Sequence, residues 1–469
     1  MSKHLTDMTV AAAAHAIRAK KLSPVELTDA YLARIESVNP KINAYVTVTA
    51  ERARADAKRA ADEIAKSGAR TPLHGVPIAL KDLCETEGIR TTAGSKFFDD
   101  YVPRRDCTVA RKLREAGSVL LGKLNTHEFA YGVTTDNPHF GATRNPWDTS
   151  RIPGGSSGGS GAAIAASLAA STIGTDTGGS IRIPSSLCGA VGLKPTYGRV
   201  SKAGIFPLSY LFDHAGPIAH SAEDAAIVLE AIAGYDPADA TTVRTPVDRY
   251  TAAMDRGAKG IRIGVPRRYF YERLDGEVSA ALEAAIATFR SLGAEMRDVD
   301  VATSETTIRP LFGLILAEAH HIHAERWRTK PGDFGKDVAA IMGGNPMPTT
   351  LEVMAGIEAM HKLTVAMREA LESVDLLLTA TTPIPATKIG EDSVRYADAE
   401  EPTIFAMIRC TAPFNATRLP ALSMPCGFTK GGLPIGMQLI GRPFDESTIF
   451  AAGHAYEHGT EWHLRKPSL

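Results

Sequence analysis

Apolar positions recur along this chain with two different periods. Ser23-Pro24-Val25-Glu26 combines a capping box with proline at the first helical position, and Leu27, Tyr31, Leu32 and Ile35 follow at helical spacing. This predicts a helix that Asn39-Pro40 stops. The charged, alanine-rich stretch 50–66 predicts a second, surface helix, so residues 1–70 are expected to form a helical layer packed on something larger. From Leu73 onward the pattern changes to short apolar runs ended by glycine, proline or charge. VPIAL (76–80), SVLLG (118–122), STIGTD (171–176), IRIGV (261–265), DLLLTA (375–380), ALSMP (421–425) and GMQLIG (436–441) read as strands. Helical patterns lie between several of them, at 108–116, 161–170, 222–233, 277–292, 351–374 and 447–457; Ser221 with Asp224 caps one of these and Gly234 closes it. The alternation predicts an α/β fold: a central mixed, mostly parallel β-sheet flanked by α-helices on both faces. Residues 71–469 are expected to be a single compact unit, with 235–260 as a surface excursion.

Composition narrows the function classes. The chain has 469 residues, 44% of them hydrophobic, and 52 basic side chains nearly cancel 53 acidic ones. A net charge of −1 offers no general attraction to nucleic acid or to an anionic membrane surface. The five cysteines form no CxxC pair, which excludes zinc ribbons and dithiol redox motifs and fits free thiols in a reducing cytoplasm. The alanine-rich N-terminus lacks a strongly apolar core, and no stretch is long enough to span a bilayer. A cytoplasmic protein that binds neither nucleic acid nor membrane is expected.

The chemistry concentrates in Pro153 to Arg182, PGGSSGGSGAAIAASLAASTIGTDTGGSIR. Ser180 follows a strand and two glycines, a setting in which successive backbone N–H groups converge on one point, as a tetrahedral oxyanion requires. Ser156 sits in Gly154-Gly155-Ser156-Ser157-Gly158 ahead of a small-residue helix. A Walker phosphate loop would place Lys-Ser where this chain has Ala162-Ala163. A nucleophile elbow would need an apolar strand where the chain reads Arg144-Asn145-Pro146-Trp147-Asp148. Lys81 ends an apolar strand; to be a neutral base near pH 7 its pKa must drop roughly 3 units, at a cost of about 4 kcal/mol, which full burial can supply, whereas a lone lysine at a strand end ordinarily snorkels to the surface. One lysine and two such serines can cleave an amide.

The Lys81 context, the GGSSGGS loop and the GTDTGGSIR turn resemble the amidase signature family, whose Ser–Ser–Lys triad has the same separations, 156 − 81 = 75 and 180 − 156 = 24 residues. The likeness continues through Asn145-Pro146-Trp147-Asp148, through Val191 to Arg199 and through Leu419 to Pro425, and so covers nearly the whole chain. It implies that 71–469 is the catalytic domain, that Ser180 is the nucleophile, and that Ser156 is a bridging serine held on a cis peptide. Lys81 becomes the general base, and the N–H groups of Thr177, Gly178, Gly179 and Ser180 the oxyanion hole. Ser157, Asp176 and Arg182 become supporting residues, and Asp82 a structural partner. It implies neither metal nor cofactor, and an acyl-enzyme mechanism that also cuts esters. It leaves the oligomeric state open, with homodimers common among relatives.

Other candidates are weaker. His321 and Glu325 lie one helical turn apart within Glu318 to Glu325 and read as a solvated or interhelical face; His127, His214 and His220 have no triad-like setting; Phe206 and Tyr210 receive no role. Two functions compete. One is a free-standing hydrolase of small amides, aryl amides, carbamates or esters; the other is the glutamine-hydrolysing A subunit of the tRNA-dependent amidotransferase. Cys410 to Arg418, before the Leu419-Pro420-Ala421 strand, departs from that subunit's glutamine-binding pattern, as does the AEAHHIHAERW helix. The sequence alone therefore favours the free-standing enzyme.

Overall fold

The computed structural model describes residues 5–396 and 400–469, without the side chains of 306 and 307. Eleven strands make the central sheet: β1 (Tyr45–Val48), β2 (Pro77–Lys81), β3 (Val119–Leu124), β4 (Ser171–Asp176), β5 (Val191–Lys194), β6 (His214–Ala219), β7 (Arg262–Val265), β8 (Glu295–Asp298), β9 (Leu376–Ala380), β10 (Ala421–Phe428) and β11 (Pro434–Ile440). Their spatial order is β1-β3-β2-β4-β6-β5-β10-β11-β9-β7-β8. Parallel ladders join β3, β2 and β4 near one edge and β9, β7 and β8 near the other; antiparallel pairings run between them and at β1. The helices around it include α1 (Val10–Arg18), α2 (Pro24–Ile42), α3 (Ala50–Ser67), α4 (Thr108–Ala116), α5 (Gly158–Ala165), α6 (Arg182–Cys188), α7 (Ala222–Ile232), α8 (Gly276–Ser291), α9 (Glu305–Thr329), α10 (Thr350–Ser373) and α11 (Glu446–His458). Among the described residues no helix is long and apolar enough to cross a membrane.

The seven strands read from apolar runs are present. The four others, β1, β5, β6 and β8, lack that signature: β8 is an edge strand with largely exposed side chains, and β6 carries Gly216-Pro217. Ser23 and Glu26 form the expected capping box. Pro40, however, does not stop α2. The helix continues to Ile42, whose side chain is fully buried, and closes where Asn43 turns left-handed and donates to the Asn39 carbonyl. A proline in the last turn forfeits one ladder bond, which burial of Val38 and Ile42 outweighs. The first 70 residues are also more than a helical layer, because β1 extends the sheet against β3. The predicted helix 161–170 lies instead at Gly158–Ala165, since Ser167 adopts φ 56° and the chain leaves the helix there.

Helix α5 is built of small residues because it has no room for others. A methyl group at Gly159 would stand 2.5 Å from the Asn125 carbonyl oxygen and 2.6 Å from that of Ala44, and one at Gly161 would stand 2.8 Å from the Pro184 carbonyl oxygen. This packing clamps the N-terminal turn of α5, which Ser156 and Ser157 lead into, onto the end of β3. Gly159→Ala should therefore lower stability by about 2 kcal/mol or more, read as a fall in denaturant midpoint at unchanged slope.

Candidate active site

The site lies where β2 and β4 end together. These strands are parallel neighbours in register (Ile78 opposite Ser171, Leu80 opposite Ile173), so Lys81 and the turn after Asp176 emerge at the same edge. Helix α5 brings the 154–157 turn to that edge. Lys81 Nζ lies 2.7 Å from Ser156 Oγ and 2.8 Å from Thr175 Oγ1. Burial pulls the Lys81 amine from an ordinary value of 10.5 down to about 7, although Cys84, Asp213 and Asp176 draw it upward.

Three lysines have no solvent exposure among the described residues, and their surroundings separate them. Lys123 faces the Asp82 carboxylate at 3.4 Å and donates to the Cys84 carbonyl and to Thr91; Lys194 donates to the Leu419 and Pro195 carbonyls. Lys81 alone holds a serine hydroxyl. Asp82 also accepts from Thr92, which makes it the structural partner expected of it.

The Gly155–Ser156 peptide is cis. The Ser156 carbonyl accepts from the His127 N–H (3.1 Å), from Thr126 Oγ1 (2.9 Å) and from Thr135 Oγ1 (3.2 Å), which fixes the Ser156 backbone on three sides. Ser157 ties the two serine loops together: its N–H donates to the Ser180 carbonyl at 3.2 Å, and its Oγ donates to the Thr175 carbonyl while accepting from the Thr175 N–H. Ser180 retains 6% exposure whereas Ser156 and Lys81 have none, so of the three it is the one that substrate can reach.

The 177–180 loop is braced from below. Asp176 accepts from the Ile181 and Arg182 N–H groups and from both Nε and Nη2 of Arg182, at 2.9–3.3 Å. Asn415 donates to the same carboxylate, and the remaining Arg182 donors reach Gln438 Oε1 and Asn415 Oδ1. Burial alone would raise the Asp176 pKa, but the Arg182 charge and these hydrogen bonds hold it far below the carboxylate range. With Ile181 and Arg182 committed to Asp176, the N–H groups of Thr177, Gly178, Gly179 and Ser180 have no acceptor among the described residues. Thr411 Oγ1 donates to the Gly178 carbonyl at 2.5 Å and would lie 2.3 Å from a methyl group at Gly179, whose φ of 140° also favours glycine.

The predicted site residues thus lie on adjoining turns, Lys81 bonded to Ser156 and the two serine loops tied through Ser157, while among the described residues the Ser180 hydroxyl makes no hydrogen bond to Ser156. Sequence reasoning misses several further members of this cluster. Thr175 holds the Lys81 amine from β4, and strand alternation beside the acidic Asp176 is the available signal. Asp213 accepts from Thr177 Oγ1 at 2.5 Å and from the Leu208 and Ser209 N–H groups, and Glu318 on α9 holds that same loop through Ser209, Tyr210 and Leu211. Asn415, Gln438 and Thr411 come from more than 230 residues downstream of the loop they brace, and no local pattern marks them. Of the remaining candidates, His127 touches the cluster through its backbone N–H on the Ser156 carbonyl, and His214 through Nδ1, 3.2 Å from the Asp176 carbonyl. Glu325 pairs with Arg328 on the surface, His323 is buried against Phe129, Phe206 and Phe334, and Tyr210 is largely exposed. Among the described residues no His, Cys, Asp or Glu group could hold a metal.

This chain belongs to the Amidase family, which it matches over residues 26–450. It is 41% identical over 489 aligned positions to the A subunit of glutamyl-tRNA(Gln) amidotransferase from Geotalea daltonii, covering 99% of this chain and all of that one. Among solved structures it superposes with a TM-score of 0.93 and 34% identity on one from a vestigial protein complex described as revealing the origins of an s-triazine catabolic enzyme, covering 98% of this chain and all of that one. The A subunit of glutamyl-tRNA(Gln) amidotransferase from Thermotoga maritima superposes at 0.82 with 33% identity, over 98% and 96% of the two chains. The protein is therefore an amidase signature hydrolase acting on C–N bonds. Its full-length curated relatives fit the amidotransferase alternative better than the free-standing hydrolase favoured from sequence.

Assigning Lys81 as the general base predicts a pH dependence. A base that loses its proton near pH 7 gives activity that rises through that pH. Asp213→Asn removes a negative charge that draws protons to Lys81, so the inflection in kcat/KM should move to lower pH. Thr177→Val keeps that charge and removes only the loop brace, so it should lower kcat without moving the inflection.

Proposed function

We propose that the protein is the amide-cleaving subunit of a tRNA-dependent amidotransferase assembly, releasing ammonia from a carboxamide such as the glutamine side chain. The observation that carries the chemistry is the 2.7 Å contact between a fully buried lysine and Ser156. Neutral Lys81 takes the Ser156 proton as Ser156 takes that of Ser180, and Ser180 Oγ bonds to the amide carbon. The carbonyl electrons move to oxygen, which the 177–180 N–H groups stabilise; each such donor is worth about 100- to 1,000-fold in rate. As the tetrahedral carbon collapses, the proton returns from Lys81 through Ser156 to the departing nitrogen, and ammonia leaves an ester on Ser180. Water then attacks that ester through the same relay, releasing the acid and restoring neutral Lys81. The assembly reading is supported by the curated relatives, which are subunits by name and match along their whole length.

A second reading is a hydrolase of small amides or carbamates that acts without an amidotransferase. It is supported by the superpositions on a 6-aminohexanoate cyclic dimer hydrolase (TM-score 0.89, 29% identity) and on a bacterial aryl acylamidase (0.88, 26%), both above that on the Thermotoga protein. The 410–418 segment also departs from the glutamine-binding pattern. The two readings separate in one assay series. Under the first, ammonia release from glutamine should be low for the purified chain and rise when partner amidotransferase subunits are added. Release of aniline from small anilides by the chain alone, with no response to partners or glutamine, would establish the second. Under either reading Ser180→Ala should abolish the acyl-enzyme seen by mass spectrometry and lower turnover on the order of 10⁵-fold.

A further inference from the structure

A groove of about 680 Å³ lies between the outer face of α10 and the turns 196–197, 240–243, 416–418 and 443–444. Its lining contains Arg368 and Arg418 and the imidazole of His361, and among the described residues no aspartate or glutamate. His361 and Arg368 stand seven residues apart on one face of α10, with Arg418 on the facing turn. Neither arginine has an ion pair or hydrogen-bond acceptor among the described residues. Arg418 rests on the Tyr197 ring at 4.5 Å, and that ring also carries the Lys202 ammonium at 3.8 Å. Lys202 Nζ is buried without a hydrogen-bond partner. The neighbouring carboxylate, Asp239, is occupied by the Lys202 and Thr241 N–H groups and the Thr241 hydroxyl. Two non-glycine residues of the lining, Arg418 (φ 62°) and Phe444 (φ 64°), hold left-handed backbone. Such conformations are unfavourable for residues with a Cβ and persist only where the surroundings impose them. Thr196 Oγ1 accepts from the Phe444 N–H at 2.8 Å, and Arg199 stacks on its ring at 4.7 Å, so this wall is fixed in advance.

We propose that this groove binds a phosphate-bearing small molecule of nucleotide size. Guanidinium groups approaching from two walls suit the oxygens of a phosphate or diphosphate. Met360, Tyr197 and Phe444 supply the apolar surface for an organic moiety, and the volume lies within the range of small-ligand sites. The 416–418 wall follows directly on Asn415, which donates to both the carboxylate and the carbonyl of Asp176, so occupancy bears on the loop that carries Ser180. The proposal holds whichever amide the enzyme cleaves.

Isothermal titration of the full-length protein with ADP and with inorganic pyrophosphate tests it. The expected result is one site for each probe, tens of micromolar or tighter at low salt and weakening steeply as salt is added. Arg368→Ala and Arg418→Ala should each weaken binding about tenfold, and Arg368→Ala should leave amide cleavage in the absence of the probe unchanged. Arg368 is exposed on a helix, so its loss threatens no folding. Absence of binding at millimolar probe, or binding equal in wild type and both variants, would overturn the proposal. Glutarate binding as tightly as pyrophosphate would overturn the phosphate assignment.

Discussion

One amine without a counter-ion organises this molecule. Lys81 sits at the end of an interior strand with two hydroxyls as its hydrogen-bond partners, and water is excluded from it. In the unfolded chain it binds a proton below pH 10.5; in the folded protein it does so only below about 7. Between those values the unfolded state holds more protons, so stability rises with pH through that window, and at neutral pH the fold forgoes about 4 kcal/mol. That is comparable to the whole net stability of many domains. A sheet of eleven strands with an extensive core can carry such a cost, whereas a small domain could not.

The same sheet solves a second problem with the opposite means. Beneath the 177–180 loop the charges are fully paired. Asp176 and Arg182 share two hydrogen bonds, and their remaining valences go to backbone N–H groups, Asn415 and Gln438. A buried pair of this kind adds little net stability over an apolar core, but breaking it costs several kcal/mol. Its value here is geometric. It draws the Ile181 and Arg182 N–H groups downward and leaves the four preceding ones free for another acceptor. An unpaired amine and a fully paired ion pair thus stand on neighbouring strand ends, the first suited to the proton chemistry proposed for it and the second to rigidity.

Much of the site is legible in the sequence because its chemistry is local. Glycines flank both serines and Lys81 closes an apolar run, which marks each as a candidate, and the resemblance to the amidase signature family joins Lys81, Ser156 and the 177–180 loop into one expected site. Residues that act across the fold are not legible. Asp213 reaches Thr177 from 36 positions away, and Asn415 reaches Asp176 from 239. The edge strand β8 is missed because its position tolerates polar residues, and the fully buried β5 and β6 are missed because lysine, glycine and proline interrupt their apolar pattern. Pro40 misleads because its helix end is held by tertiary burial and not by propensity.

The choice between functions is hard to read from sequence for a related reason. Taken as direct readers of glutamine, the 410–418 segment and the α9 helix both depart from the expected pattern. In the structure these segments have a further duty. Thr411 and Asn415 brace the 176–180 loop, and Glu318 on α9 holds the 208–211 loop that leads to Asp213 and so to Thr177. A segment that supports the catalytic loop from outside can change its substrate-facing residues while retaining its bracing ones. Its departure from a pattern therefore bears on which acyl group is held, and leaves open whether the chain works inside an assembly. Full-length similarity to named subunits speaks to the second question, and local pocket sequence speaks to the first. The two diverge here because they measure different properties of one protein.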